Sequence, residues 1–185
     1  RYAITLPFDK FKVSFPSSIS KGQNVYNKLA QLLLHVKDIN DFSKLPIPFL
    51  CIASDIEKGE QVILNEGYLP DAITASGAFP SLFEPIRMGN RLLIDGGVTN
   101  NYPIDEIKAK NPDIIIGVDV QAGLAGREKL KSATGILSQI NNFRTINDMK
   151  TKSKKTDVYM RPNIEGFTVI SFDKGSELIK SGEEA

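Results

Sequence analysis

The sequence contains few of the side chains that small proteins use for cross-linking or for soft-metal binding. Of its 185 residues, one is cysteine and one is histidine. The single cysteine, Cys51, excludes an internal disulfide, and with only one histidine beside it the sequence offers no set of ligands for a structural zinc site. Metals that prefer oxygen ligands are not excluded by this composition.

Long apolar runs and glycine-rich nucleotide motifs are also missing. The longest purely aliphatic stretches are Leu32 to Leu34 and Ile114 to Ile116, whereas a membrane-spanning helix needs about 20 mainly apolar residues. The chain begins RYAITLPFDK, without the charged and apolar regions of a signal peptide. Neither G-x-x-x-x-G-K-[ST] nor G-x-G-x-x-G occurs, so neither glycine-rich route to nucleotide binding is supported.

The charges show no strong excess of one sign. There are 23 lysines and arginines against 22 acids, which gives a formal net charge of +1 at pH 7. This balance provides no global basic field for nucleic acid, and nucleic acid is therefore not an expected partner. Between Arg127 and Lys155, however, eight basic residues face only two acids. That local excess indicates either peripheral contact with an anionic membrane or an ordinary solvated helix face.

Apolar periodicity and turn residues predict strands that alternate with helices. The predicted helices are 25–36, 70–75, 104–110, 127–150 and 175–184. The predicted strands are PFLCIAS, QVIL, RLLID, DIIIGVDV and DVYM. Because DIIIGVDV is almost continuously aliphatic, it is typical of a parallel strand that is buried on both faces. The expected fold class is α/β, with a mostly parallel sheet and helices on both faces.

The strand RLLID ends in an acid, Asp95, which is followed at once by Gly96 and Gly97. Ligands of open α/β folds bind at the carboxyl ends of strands. Burial beside the preceding aliphatic residues would raise the pKa of Asp95 toward that of a useful base, whereas the amides of a glycine turn would lower it. D-G-G is also a common turn sequence, so these residues alone leave a catalytic and a structural role open.

Three further side chains are candidates for supporting roles. Asp55 and Asp119 both follow apolar strands. They either lie beside Asp95, where they would order its turn or hold a cation, or cap neighbouring loops or helices. Cys51 lies within PFLCIAS and is expected to pack as a small hydrophobic residue.

A longer block, residues 75–121, resembles the patatin-like phospholipase family. The family reads A-S-x-A-x-P-x-x-F-x-P, then an apolar strand into D-G-G or D-G-A, then N-x-P and a strand ending in V-D-V. The residues that fit are Ala75, Ser76, Ala78, Pro80, Phe83, Pro85, Asp95, Gly96, Gly97, Asn101, Pro103 and Val118 to Val120. The resemblance covers most of residues 44–185, and ISKGQNVYNKL is similar to bacterial members.

The resemblance implies a three-layer α/β fold and a serine acyl hydrolase of the lipase or phospholipase type. Such an enzyme acts on lipid esters through a Ser/Asp dyad, without histidine, metal or cofactor. The implied base is Asp95, and Gly96 and Gly97 form the active-site motif around it. The single histidine, His35, lies on the predicted first helix, where packing or surface exposure is more typical than catalysis.

The nucleophile motif of the family, G-x-S-x-G, is absent, because no serine has glycine two residues before it. Ser76 belongs to a different family segment and is expected to support a helix end. We therefore expect residues 1–185 to be the C-terminal part of one patatin-like domain, with the base but without the nucleophile, and inactive alone. The expected partners are a lipid ester and the N-terminal part of the same domain, in bacterial cytoplasm or cell envelope. The alternative is a non-catalytic patatin-like binding or interaction module.

Overall fold

The computed structural model describes residues 8–9, 12–13, 18–131, 133–168 and 171–185, and these form two compact units, Arg1–Asn101 and Tyr102–Ala185. The helices are α1 (Gln23–Leu32), α2 (Leu69–Ser76), α3 (Gly97–Asn100), α4 (Ile104–Lys108), α5 (Ala133–Lys152) and α6 (Gly175–Glu183). The strands are β1 (Phe8–Asp9), β2 (Lys12–Val13), β3 (Cys51–Asp55), β4 (Glu60–Leu64), β5 (Ile86–Met88), β6 (Arg91–Asp95), β7 (Ile116–Val118) and β8 (Val158–Met160).

The first unit contains a four-stranded sheet in the order β4-β3-β6-β5, and every neighbouring pair in it is antiparallel. The runs PFLCIAS and QVIL form a hairpin, which turns at Gly59 with φ of 69°. Ala53 of β3 pairs with Asp95 of β6. The described chain is therefore mixed α/β, and the prediction of a mostly parallel sheet is not confirmed.

The core of the first unit lies between the sheet and helix α2. In β4 the buried residues Val62 and Leu64 alternate with exposed neighbours, as expected for a strand with one face against a core. Helix α2 presents buried Leu69, Ala72 and Ala75 at spacings of three, which places them on one helix face. The cluster formed by these residues also contains Val36, Phe42, Leu45, Ala53 and Leu93.

The ends of helix α2 carry ordinary local signals. Pro70 lies in the first turn of α2 together with Asp71, and the helix ends at Gly77, whose amide donates to the carbonyl of Ile73. Helix α1 is shorter than predicted, because the chain tightens into a 3₁₀ turn at Leu34–Val36. His35 lies in this turn and is exposed, which is one of the two placements, packing or surface, expected for it.

In the described part of the second unit, β7 and β8 form a parallel pair in which Ile116 lies opposite Val158. The prediction that DIIIGVDV is buried on both faces is wrong. Ile115, Gly117 and Asp119 are buried, whereas the alternating aliphatic residues are 48% to 65% exposed; they are Ile114, Ile116, Val118 and Val120. The described part of this unit therefore packs against only one face of the pair.

Helix α5 is the longest helix within the described residues, at 20 residues. The sequence predicts a helix over 127–150, but the start of that range forms a 3₁₀ turn at Arg127–Lys129. No helix of the described residues combines the length and the apolar character needed to cross a bilayer.

Candidate active site

Asp95 is the last residue of β6, at the position that the strand pattern predicts. Its side chain is partly buried, and its Oδ1 accepts a hydrogen bond of 2.7 Å from the amide of Gly97. Burial raises the pKa of Asp95 above its ordinary value of 3.8, and the Gly97 hydrogen bond opposes this shift only in part. Of the two opposing effects that the sequence suggests, burial is therefore the larger.

The main chain around Asp95 is held by the segment that ends helix α2. The amide of Asp95 donates to the carbonyl of Ala78 at 3.0 Å, and the amide of Gly96 donates to the carbonyl of Ser76 at 3.2 Å. Ser76 thus contributes a backbone acceptor to the D-G-G turn. The two motifs A-S-x-A and D-G-G, which lie about 20 residues apart in the sequence, form one hydrogen-bonded assembly.

Both positions after Asp95 require glycine, because neighbouring atoms lie too close to leave room for a side chain. A Cβ atom on Gly96 would lie 2.0 Å from the carbonyl oxygen of Ile52. A Cβ atom on Gly97 would lie 2.8 Å from Oδ1 of Asn101 and 3.0 Å from Oδ1 of Asp95. Any larger residue would therefore displace the neighbouring strand or the carboxylate itself.

The hydroxyl groups of Ser54 and Thr99 fix the other side of the turn, and the sequence alone does not predict either residue as part of the site. The Oγ of Ser54 donates to the main-chain oxygen of Asp95 at 2.8 Å and lies 2.8 Å from Oγ1 of Thr99. Ser54 is a buried residue in the apolar strand β3. A polar residue inside such a strand is a usable sequence signal, because buried hydroxyl groups almost always have hydrogen-bond partners.

The structure separates Asp55 from the candidate site. Because β3 and β6 are antiparallel, Ala53 lies opposite Asp95, and Asp55 lies two residues further along, opposite Leu93. The Oδ1 of Asp55 accepts a hydrogen bond of 3.0 Å from the amide of Glu57. The suggestion that Asp55 lies beside Asp95 is wrong, and its alternative role as a loop cap is confirmed.

Asp119 also caps a loop, in the second unit. Its carboxylate accepts hydrogen bonds from the amide of Gln121 and from the hydroxyl of Tyr159. Burial, together with this bond to Asp119, raises the pKa of Tyr159 to about 12. Within the described ranges, no group of three or more histidine, cysteine or acidic side chains is arranged to hold a metal ion.

Cys51 packs as the sequence predicts. Its thiol is partly buried and lies 3.5 Å from the carbonyl oxygen of Ala72 in α2. Burial raises the pKa of the Cys51 thiol to about 11. The thiol is therefore protonated at neutral pH and is not poised as a nucleophile.

An apolar groove of about 240 Å³ borders the A-S-x-A segment in the first unit. Its walls come from helix α1, the end of α2 and the chain before β5. The apolar lining includes Val25, Leu29, Ile73, Ala78, Phe83 and Ile86. Ala78 thus contributes to the groove and also accepts the hydrogen bond from the amide of Asp95.

Comparison with known proteins decides the family. A family model described as "Patatin-like phospholipase" matches residues 3–108, a range that includes β3 to β6 and the D-G-G turn. The chain belongs to the patatin-like phospholipase family. In this patatin-like chain two of the family motifs meet at Asp95, because A-S-x-A supplies the backbone acceptors for the first two residues of D-G-G.

Several curated proteins are similar to this patatin-like chain. An "Uncharacterized NTE family protein" of Mycobacterium tuberculosis is 37% identical over 83 residues, which are 45% of this chain and 23% of that protein. "Lysophospholipase NTE1" of Candida glabrata is 28% identical over 164 residues, 75% of this chain and 9% of that protein. The protein of the same name from Candida albicans is 27% identical over 197 residues, 93% of this chain and 14% of that protein. The chain thus spans less than a quarter of the length of these relatives.

Proposed function

We propose that this chain carries the general base of a lipid acyl hydrolase, and that Asp95 accepts the proton of a serine nucleophile. The observation that supports this proposal most is the position of Asp95. This residue ends strand β6, and hydrogen bonds to Ala78, Ser76 and Ser54 fix the main chain of its turn. Burial raises its pKa, and a higher pKa makes a carboxylate a stronger proton acceptor. Membership of the patatin-like family and the lysophospholipase names of two relatives support a lipid ester as substrate.

The proposed nucleophile lies on a part of the protein outside these 185 residues. G-x-S-x-G does not occur in them. Ser54 bonds the main chain near Asp95, but its hydroxyl is buried and is engaged by Asp95 O and Thr99 Oγ1, so it is not placed to attack an ester. Residues 1–185 are therefore proposed as the C-terminal part of one catalytic domain, inactive without the serine and its oxyanion hole.

The proposed reaction proceeds through an acyl-enzyme. The serine oxygen attacks the ester carbonyl carbon while its proton passes to the Asp95 carboxylate. The protonated Asp95 then gives this proton to the leaving alcohol oxygen as the ester bond breaks. In the second half, water attacks the acyl carbon while Asp95 takes a proton from the water. The bond between the acyl carbon and the serine oxygen then breaks, the proton passes from Asp95 to the serine oxygen, and the carboxylic acid leaves. The groove beside Ala78 has the apolar lining that an acyl chain would require.

The pH dependence of hydrolysis should reflect the raised pKa of Asp95. Only the ionised carboxylate accepts a proton, so kcat/KM should rise with pH and reach half its plateau above 3.8, the ordinary value for aspartate. We expect this in the full-length protein with a soluble p-nitrophenyl ester, while circular dichroism checks that the fold persists at each pH. An acid limb centred at or below 3.8 would argue against Asp95 as the base.

A second proposal is that helix α5 contacts the membrane that contains the lipid substrate. Helix α5 directs its large apolar side chains outward, since Ile136, Leu137, Ile140 and Phe143 are 48% to 60% exposed. On its inner side the polar Thr145 is buried. Met149, one turn after Thr145, is buried as well. An ordinary surface helix turns its apolar stripe toward the core, whereas α5 packs through Thr145 and Met149 and leaves these four large apolar side chains exposed.

The charges near this face favour an anionic lipid surface as the partner. At 3.6 residues per turn, Lys150 lies two turns after Phe143, and Arg144 lies one turn after Ile140. Lys152 and Lys154 follow directly, whereas the next lysine, Lys155, is paired with Asp105 at 2.6 Å. Helices that combine exposed apolar residues with basic ones bind at membrane interfaces, where anionic lipids attract the basic residues.

Vesicle sedimentation tests this contact. We expect the full-length protein to bind phosphatidylserine-containing vesicles better than pure phosphatidylcholine vesicles. The double substitution Ile140→Ser and Phe143→Ser should weaken binding by about tenfold or more, because each large apolar side chain contributes about 1.5–3 kcal/mol when buried. The matched control is Phe172→Ser with Ile179→Ser, which changes two residues that are 75% and 65% exposed outside α5. Equal loss in both variants, or no preference for anionic vesicles, would refute the proposal.

A further inference from the structure

A pair of hydroxyl groups spans the turn that carries Asp95. Ser54 lies near the end of β3 with 1% of its surface exposed. Its Oγ is 2.8 Å from the main-chain oxygen of Asp95 and 2.8 Å from Oγ1 of Thr99. Thr99 belongs to α3, the helix that follows the turn, and its amide donates to the carbonyl of Gly96 at 3.0 Å. Ser54 therefore connects the last residue of the strand with the first helical turn after it.

The bond from Ser54 complements the bond on the other side of the same residue. The amide of Asp95 is fixed by the carbonyl of Ala78 at 3.0 Å, and its carbonyl is fixed by Ser54. The peptide units before and after the Asp95 Cα atom are thus both held. The orientations of these two peptide units determine the direction of the Cα–Cβ bond of Asp95. They therefore also determine the direction in which its side chain leaves the main chain.

Ser54 also has a fixed position of its own. It lies opposite Ile94 in the antiparallel pairing of β3 with β6, so its backbone is part of the same sheet as the residue it supports. A hydroxyl attached to a paired strand is a more rigid support than one on a loop. Its burial also makes the bonds costly to lose, because an unpaired buried polar group is unfavourable by about 1–3 kcal/mol.

We propose that Ser54 is a positioning residue for Asp95, acting through the main-chain oxygen of Asp95 and through Thr99. The inference rests on the proposed function, because it requires Asp95 to be the base. Misplacement of a catalytic group by about 1 Å costs up to about a hundredfold in rate. Removal of the Ser54 hydroxyl should therefore lower kcat by about tenfold to a hundredfold and leave KM nearly unchanged, because this hydroxyl is buried and bonded to Asp95 and Thr99.

The experiment compares four variants of the full-length protein on one ester substrate: Ser54→Ala, Thr145→Val, Asp95→Asn, and Asp95→Asn combined with Ser54→Ala. Thr145→Val is the matched control, because it also removes a buried hydroxyl, from a residue that is 4% exposed in the second unit. Ser54→Ala should lower kcat while Thr145→Val does not. The residual rate of Asp95→Asn, measured at high protein concentration, should not fall further when Ser54→Ala is added, since a positioning residue has nothing left to position.

The outcomes separate this inference from the proposed function. If Asp95→Asn keeps its activity, the proposed function fails and the role of Ser54 fails with it. If Asp95→Asn is inactive but Ser54→Ala matches Thr145→Val, only the positioning role is refuted. Should Ser54→Ala not fold, Thr99→Val removes the second hydroxyl and leaves Ser54 in place. A folded Thr99→Val protein with a wild-type kcat would then overturn the inference, and a lowered kcat with unchanged KM would support it.

Discussion

Asp95→Asn is expected to abolish ester hydrolysis by the full-length protein while leaving its fold intact. The amide keeps the shape of the side chain, and its oxygen can still accept the 2.7 Å hydrogen bond from the Gly97 amide. It cannot accept the proton of a serine. Removal of a general base typically costs about 10²-fold to 10⁴-fold in rate, and more where no other group activates the nucleophile.

The stability of this variant has an expected sign as well. The folded-state pKa of Asp95 is raised by burial, so the ionised carboxylate is less favourable in the folded state than in the unfolded state. The associated stability is fully present below 3.8 and is lost as pH rises through the raised value. At neutral pH the uncharged Asp95→Asn protein should therefore be at least as stable as the wild type.

The rate of lysophospholipid hydrolysis tests the expected loss of activity, and thermal unfolding of the same protein tests the expected stability. Asp113→Asn is the matched control, because it removes one carboxylate charge at an exposed position in the second unit. The control should keep wild-type activity. A well-folded Asp95→Asn protein that retains most of its activity would assign the base to another residue.

Gly96→Ala is expected to produce the largest loss of stability. The added methyl carbon would lie 2.0 Å from the carbonyl oxygen of Ile52 and 2.5 Å from its carbonyl carbon. These are backbone atoms of β3, which pairs on both sides, so they cannot move aside as a flexible side chain would. Overpacking usually costs about 1–3 kcal/mol, and we expect a loss of about 3 kcal/mol or more here because the obstacle is backbone.

Gly123→Ala provides the matched control for this prediction. A methyl group on Gly123 meets no described atom within 4 Å, so the free energy of unfolding should change little. Urea unfolding followed by circular dichroism, together with the soluble yield of each protein, measures the difference. Equal stability of the two variants would show that β3 and the D-G-G turn do not approach each other as closely as the structure indicates.

Local sequence signals are sufficient to predict the parts of the fold that neighbouring residues determine. The hairpin from β3 to β4 follows from Gly59 between two apolar runs, and the end of α2 follows from Gly77. The antiparallel pairing of β3 with β6 joins Ala53 to Asp95, about 40 residues apart. No local signal specifies the direction of such a pair, which explains why a mostly parallel sheet was predicted instead. The same direction places Asp55 away from Asp95.

The sequence predicts Asp95 and its two glycines as the candidate site but does not predict the groups that hold them. Tertiary packing determines which groups bond a main-chain amide or oxygen. The hydrogen bonds that join Ala78 and Ser54 to Asp95 therefore have no local sequence signature. The direction of the pKa shift was also open, because burial and the Gly97 amide act in opposite senses. Only the folded arrangement shows that burial is the larger effect.

The most direct test of the account is the rate at which a fluorophosphonate ester labels the full-length protein. This reagent reports activation of a serine without requiring turnover. We predict that it modifies one serine, within a G-x-S-x-G sequence, and that the rate rises with pH through the raised pKa of Asp95. In the Asp95→Asn protein the rate should fall by about 10²-fold or more. Equal labelling rates in the two proteins, or a folded wild type with no labelled serine, would contradict the assignment of Asp95 as the base.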